Sequence, residues 1–164
     1  MRAFVGVGTN LGDRWANLAR AARGLRAEPR VALLRASRVW DTAPLGPPQP
    51  RFLNAVLEVE ASGPARALLD ALLRIERAAG RRRGVARWTA RTLDLDLLLF
   101  DDALVDEPGL VVPHPAMTSR RFVLAPLAEL CPERIVPGAG HTVAELLAAV
   151  PPDDAVVVGL YPLG

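Results

Sequence analysis

Lysine is missing altogether, since all 20 basic residues are arginine. That removes the chemistry of a P-loop lysine, a protein-kinase lysine and a Schiff base. Cysteine occurs once, at Cys131, so no disulfide can form within the chain, in keeping with a reducing compartment. The lone thiol reads as a small buried hydrophobe. No apolar run approaches the roughly 18–20 residues that span a bilayer, and Met1-Arg2-Ala3-Phe4 leads into a strand-like segment rather than a signal peptide. A cytoplasmic protein without membrane contact is expected. Net charge is small as well, only +2, which leaves no overall basic field for general nucleic-acid binding.

What is present suits a globular fold, with 51% hydrophobic and 23% charged residues, and 164 residues fit a single domain over 1–164. Ala3 to Val7 reads as a buried strand, broken by the loop residues Gly8 to Asp13, with Asp13 a helix N-cap. Gly6-Val7-Gly8 followed by Gly12 is a poor dinucleotide fingerprint and reads as a flexible turn. Trp15, Leu18, Ala19, Ala22 and Leu25 recur at helical spacing until Glu28-Pro29 stops them. Val31 to Trp40 and Phe52 to Glu60 read as strands. The four prolines between Thr42 and Pro50 forbid a ladder and favour a semi-rigid loop. Pro64 opens a second helix that Gly80 ends, and Thr92 to Phe100 reads as a well-buried strand. The order is β-α-β-β-α-β. This predicts an α+β, ferredoxin-like core: a mainly antiparallel sheet with helices packed on it. A C-terminal extension holds helices over Arg121 to Leu130 and Thr142 to Val150, extending the sheet edge or covering one face.

Two features carry chemistry. Asp94 and Asp96 alternate in a strand, so both leave one face, about 6.5–7 Å apart at the backbone, with Leu93, Leu95, Leu97 and Leu99 on the other. Two carboxylates in an apolar segment need a positive partner. That partner is either magnesium, whose hard-oxygen preference they match, or the neighbouring arginines. The second feature is the cluster Arg81, Arg82, Arg83, Arg87 and Arg91, a stretch without Asp or Glu. Its surplus of positive charge beside an acidic strand suits a magnesium-bound polyphosphate, because arginine forks bind phosphate oxygens. Gly80 and Gly84 suit a loop able to close over a ligand. Trp88 among the arginines also admits RNA stacking, although the aromatic RNP strand signature is missing. His114, between two prolines, and Arg120 could complete a phosphate site.

The run Gly80-Arg81-Arg82-Arg83 with Arg87-Trp88-Thr89-Ala90-Arg91-Thr92-Leu93-Asp94-Leu95-Asp96 resembles the signature of the 6-hydroxymethyl-7,8-dihydropterin pyrophosphokinase family. Gly8-Thr9-Asn10-Leu11-Gly12, Thr42-Ala43-Pro44-Leu45-Gly46, Phe52-Leu53-Asn54, Ile75-Glu76 and Val112-Pro113-His114-Pro115 fall in family order. The resemblance implies transfer of the β,γ-pyrophosphoryl group of ATP to the hydroxymethyl of a reduced pterin, releasing AMP. It implies two magnesium ions on Asp94 and Asp96, and phosphate and transition-state contacts from Arg81, Arg83 and Arg91. Glu76, His114 and Arg120 resemble nucleotide-binding groups. Thr42, Leu45, Phe52, Asn54, Trp88 and Phe122 resemble a pterin pocket. The expected partners are ATP and the pterin, handled by a monomer; the alternative is a ferredoxin-like RNA-binding module using Arg81 to Arg91. Thr89-Ala90 stand where the family usually has Gly-Pro, and Phe52 where some members have tyrosine.

Overall fold

The computed structural model describes residues 1–80 and 92–163. Arg81, Arg83, Trp88 and Arg91, and with them the expected closing loop, lie outside the described residues.

β1 (Arg2–Thr9) leads to α1 (Arg14–Ala27), which Asp13 caps by accepting the Ala16 N–H at 3.0 Å. β2 (Val31–Ala36), β3 (Val39–Thr42) and β4 (Phe52–Ala61) follow, then α2 (Ala65–Ala78). Gly80 ends that helix at φ +94°, a left-handed conformation that costs glycine nothing. β5 (Asp94–Phe100) precedes a small hairpin, β6 (Val105–Glu107) and β7 (Leu110–Val112). A 3₁₀ turn (Met117–Ser119), α3 (Arg121–Leu130), α4 (Val143–Ala149) and β8 (Val156–Gly159) complete the described chain.

The main sheet is antiparallel throughout, in the order β5-β1-β4-β3-β8, with β2 also paired to β4. This is the expected β-α-β-β-α-β arrangement, with its second strand divided. The single strand expected over Val31 to Trp40 breaks at Ser37-Arg38. There Ser37 donates its N–H to the Val56 carbonyl at 2.8 Å, while its hydroxyl accepts the Val56 N–H at 2.9 Å. With both Val56 groups taken by one residue, β3 restarts along β4 in a shifted register.

Both faces of the sheet are covered. On one, Val5, Val7, Leu57 and Leu95 pack under Leu18 and Leu25 of α1 and Leu72 of α2. On the other, Phe4, Val56, Leu98 and Leu99 pack under Leu124 and Leu127 of α3 and Val143 of α4. The C-terminal extension therefore covers a face and also lengthens the sheet through β8. Leu99 departs from the expected parity. A register shift opposite Phe4/Val5 leaves both Leu98 and Leu99 on the α3 side. Trp15 also departs from its expected core position: it is 36% exposed, and its ring lies over Gly159 of β8, where an added Cβ would stand 3.2 Å away. Among the described residues no helix is long and apolar enough to cross a membrane.

Candidate active site

Gly6 and Gly8 lie within β1, not in a turn as expected, because the strand continues to Thr9 between β4 and β5. Residues paired across antiparallel strands share a face. Gly8 pairs with Asp94 on one side and Asn54 on the other, and Gly6 pairs with Asp96 and Val56. The two glycines thus make a lane without side chains, rimmed by Asp94 and Asp96 on β5 and by Asn54 on β4. A Cβ at Gly8 would stand 2.9 Å from Asn54 Oδ1 and 3.7 Å from Phe52 Cδ1, so the absence of a side chain there is a steric requirement. The signal was present in the sequence as glycines two apart, which in a strand clear one face.

On the β4 side, Asn54 donates from Nδ2 to Thr42 Oγ1 at 2.6 Å, and both residues are buried. Thr42 pairs with Phe52 across β3 and β4, so Thr42, Phe52 and Asn54 form one cluster. Leu45 does not join it in the described contacts: it sits 42% exposed on the proline-rich loop, its carbonyl accepting from Gln49 Nε2 at 3.4 Å. Asn10, which sequence reasoning left out of the site, donates to Gln49 Oε1 and to the Pro50 carbonyl, both at 2.9 Å. It ties the loop to the turn after β1.

On the β5 side, Glu76 of α2 is buried and accepts the Leu95 N–H at 2.8 Å. It holds the backbone between the two aspartates. The strand's start is fixed by Thr9, whose hydroxyl donates to the Thr92 carbonyl and accepts from Asn17 Nδ2 at 3.1 Å. His114 follows a cis Val112–Pro113 bond and donates its N–H to the Leu98 carbonyl at 3.0 Å. Its Nδ1 accepts the Ala116 N–H at 3.3 Å, which assigns the ring proton to Nε2, 3.9 Å from Asp96 Oδ1. Burial, then the Arg120 charge, lower the His114 pKa from 6.5, against an opposing pull from Asp94. The imidazole is therefore neutral near pH 7. Arg120 lies at the start of α3 with its guanidinium 5.8 Å from the Phe122 ring centroid.

The described residues hold no group of three His, Cys, Asp or Glu side chains able to cage a metal. Asp94 and Asp96 offer a two-carboxylate edge instead, the donor set of a hard cation that takes its other ligands from water and phosphate oxygens.

A sequence model of the 7,8-dihydro-6-hydroxymethylpterin-pyrophosphokinase (HPPK) family matches residues 4–132. The chain belongs to this family. Among relatives, the 2-amino-4-hydroxy-6-hydroxymethyldihydropteridine pyrophosphokinase of Pseudomonas aeruginosa is 43% identical over 151 residues, 92% of each chain. The enzyme of the same name from Bacillus subtilis is 42% identical over 130 residues, 79% of this chain and 77% of its own. The crystal structure of wild-type Plasmodium falciparum HPPK-DHPS with SDX-DHP superposes with a TM-score of 0.70 at 13% identity. It matches 90% of this chain and 44% of that longer one. At that identity the likeness carries the HPPK fold alone, with its antiparallel sheet and packed helices.

Proposed function

We propose that this HPPK-family chain transfers the β,γ-pyrophosphoryl group of ATP to the hydroxymethyl of 6-hydroxymethyl-7,8-dihydropterin, releasing AMP, as a step of folate biosynthesis. The observation that supports it best is the glycine lane of β1, with a carboxylate pair on one rim and a buried amide–hydroxyl pair on the other. A flat acceptor can lie on such a lane with its ring edge toward Asn54 and Thr42 and its hydroxymethyl toward the aspartates. Phe52, Phe122 and Trp88 are its apolar walls.

Asp94 and Asp96 fit magnesium, since both alternate onto the open face and neither is asked to complete an all-protein cage. Bound there, two magnesium ions would neutralise phosphate charge and acidify the acceptor hydroxyl. Glu76 positions that pair through Leu95. His114, neutral and protonated on Nε2, donates a hydrogen bond to the nucleotide without adding a charge beside Asp96. Arg120 and Arg83 bind phosphates, and Arg81 and Arg91 stabilise the charge that grows in transfer. Such transfer rests on alignment and charge stabilisation, which is why a site without a strong side-chain base suffices.

We take the 164 residues as one domain acting as a monomer on two small molecules. The RNA-binding alternative gains nothing from the family match. AMP release measured with and without the reduced pterin tests the proposal: release that requires both pterin and magnesium is expected. ATP turnover indifferent to pterin, or salt-sensitive RNA binding without nucleotide, would overturn it.

A further inference from the structure

The family match ends at residue 132, yet the chain beyond it returns to the proposed acceptor pocket. β8 pairs antiparallel with β3, and Tyr161 anchors the end by donating its buried hydroxyl to the Leu18 carbonyl at 2.6 Å. Just before β8 lies Pro151-Pro152-Asp153-Asp154, a stiff lead-in followed by two adjacent carboxylates. Asp154 takes Arg51 end-on, with Nη1–Oδ2 at 3.0 Å and Nη2–Oδ1 at 3.2 Å. Asp153 takes Arg121, Nε–Oδ1 at 3.5 Å, and the same oxygen accepts the Ala155 N–H at 2.9 Å. Arg51 directly precedes Phe52, and Arg121 directly precedes Phe122. The Nε of Arg51 also donates to Asp41, which directly precedes Thr42. Two neighbouring carboxylates on one short segment therefore grip the residue before each aromatic wall, one on β4 and one on α3.

We propose that Asp153 and Asp154 form a clasp that sets the separation of the Phe52 and Phe122 walls and thereby tunes affinity for the flat acceptor. This rests on the acceptor pocket proposed above. The clasp is a positioning device and touches no reacting atom. Its carboxylates are 44% and 66% exposed, so the pairs add little to overall stability. Bidentate geometry and two fixed anchors give them direction instead.

Asp153→Asn, Asp154→Asn and the double variant, made in the full chain, test this by steady-state kinetics. Each single change is expected to raise KM for the pterin about threefold and the pair about tenfold. KM for ATP, kcat and the melting temperature should stay near wild type, and Asp154→Glu should recover part of the loss. An unchanged pterin KM overturns the clasp. So does a parallel fall in every parameter together with the melting temperature, which marks general loosening. Asn54→Ala separates the two levels: if it weakens pterin binding while the clasp variants do not, the clasp alone fails. If Asn54→Ala leaves pterin binding intact, the pocket fails and the clasp with it.

Discussion

The α3 side of the sheet has two halves built on the same strands. Under the helices, β1, β4 and β5 present Phe4, Val56, Leu98 and Leu99, all buried. A few residues along, the same strands present Gly6, Gly8, Asn54, Asp94 and Asp96. Burying a leucine or phenylalanine stabilises by about 1.5–3 kcal/mol, so under a cover large apolar groups are favoured. On the other half, glycine, amide and carboxylate groups take their place, which suits the proposed acceptor site better than a packed core. One half holds the fold; the other carries the proposed site.

The widest separation between the halves should come from Asp96→Ala set against Leu124→Ala. The first is expected to lower AMP release about a thousandfold, roughly 4 kcal/mol of transition-state stabilisation, while the melting temperature barely moves. The second removes a fully buried side chain and should cost about 2–5 kcal/mol in urea unfolding while the folded fraction keeps its turnover. Near-normal turnover of Asp96→Ala at saturating magnesium would erase the distinction.

Gly8→Ala and Gly6→Ala sharpen it within the lane. At Gly8 the new methyl would meet Asn54 Oδ1 at 2.9 Å, forcing the amide aside, and acceptor binding should weaken about tenfold. At Gly6 the nearest atoms belong to Leu98 at 3.5 Å, an ordinary contact, so stability should change by less than about 1 kcal/mol. Equal effects at both positions would show that strand flexibility, not clearance, explains the glycines.

The smallest effect concerns pH. The folded His114 holds its proton less tightly than the unfolded chain does. Its contribution to stability is therefore full above about pH 6.5 and is lost as pH falls toward the depressed folded value. Urea titrations of the metal-free protein between pH 5 and 7 should give a shallow decline on acidification, flattened in His114→Gln. An unchanged slope in that variant would remove His114 from the account.

Local signals in the sequence carried the helices well. Asp13 caps α1, Glu28 ends it, Gly80 ends α2, and α3 covers Arg121 to Leu130. Signals that depend on a distant partner did not carry. The break at Ser37 needs Val56, and the parity change at Leu98 needs the register with Phe4. Gly6 and Gly8 resemble turn residues until strands on either side fix them. Within the candidate site, Thr42, Phe52 and Asn54 lie together on β3 and β4, and His114 Nε2 stands 3.9 Å from Asp96, while Leu45 stays on its exposed loop. Asp153 and Asp154 gave no sign of a role, because their arginine partners lie at Arg121 and Arg51, the latter 103 residues away.

β5 is the edge of the sheet as well as the bearer of the aspartates, and an open edge is where a second chain can add a strand. Here the protein occupies that edge itself: Glu76 holds the Leu95 N–H, and the His114 N–H fills the Leu98 carbonyl. Among the described residues, these two backbone groups of β5 are no longer open to a strand from a neighbouring copy. The two hydrogen bonds that hold β5 in place therefore also occupy two backbone groups that an added strand would need.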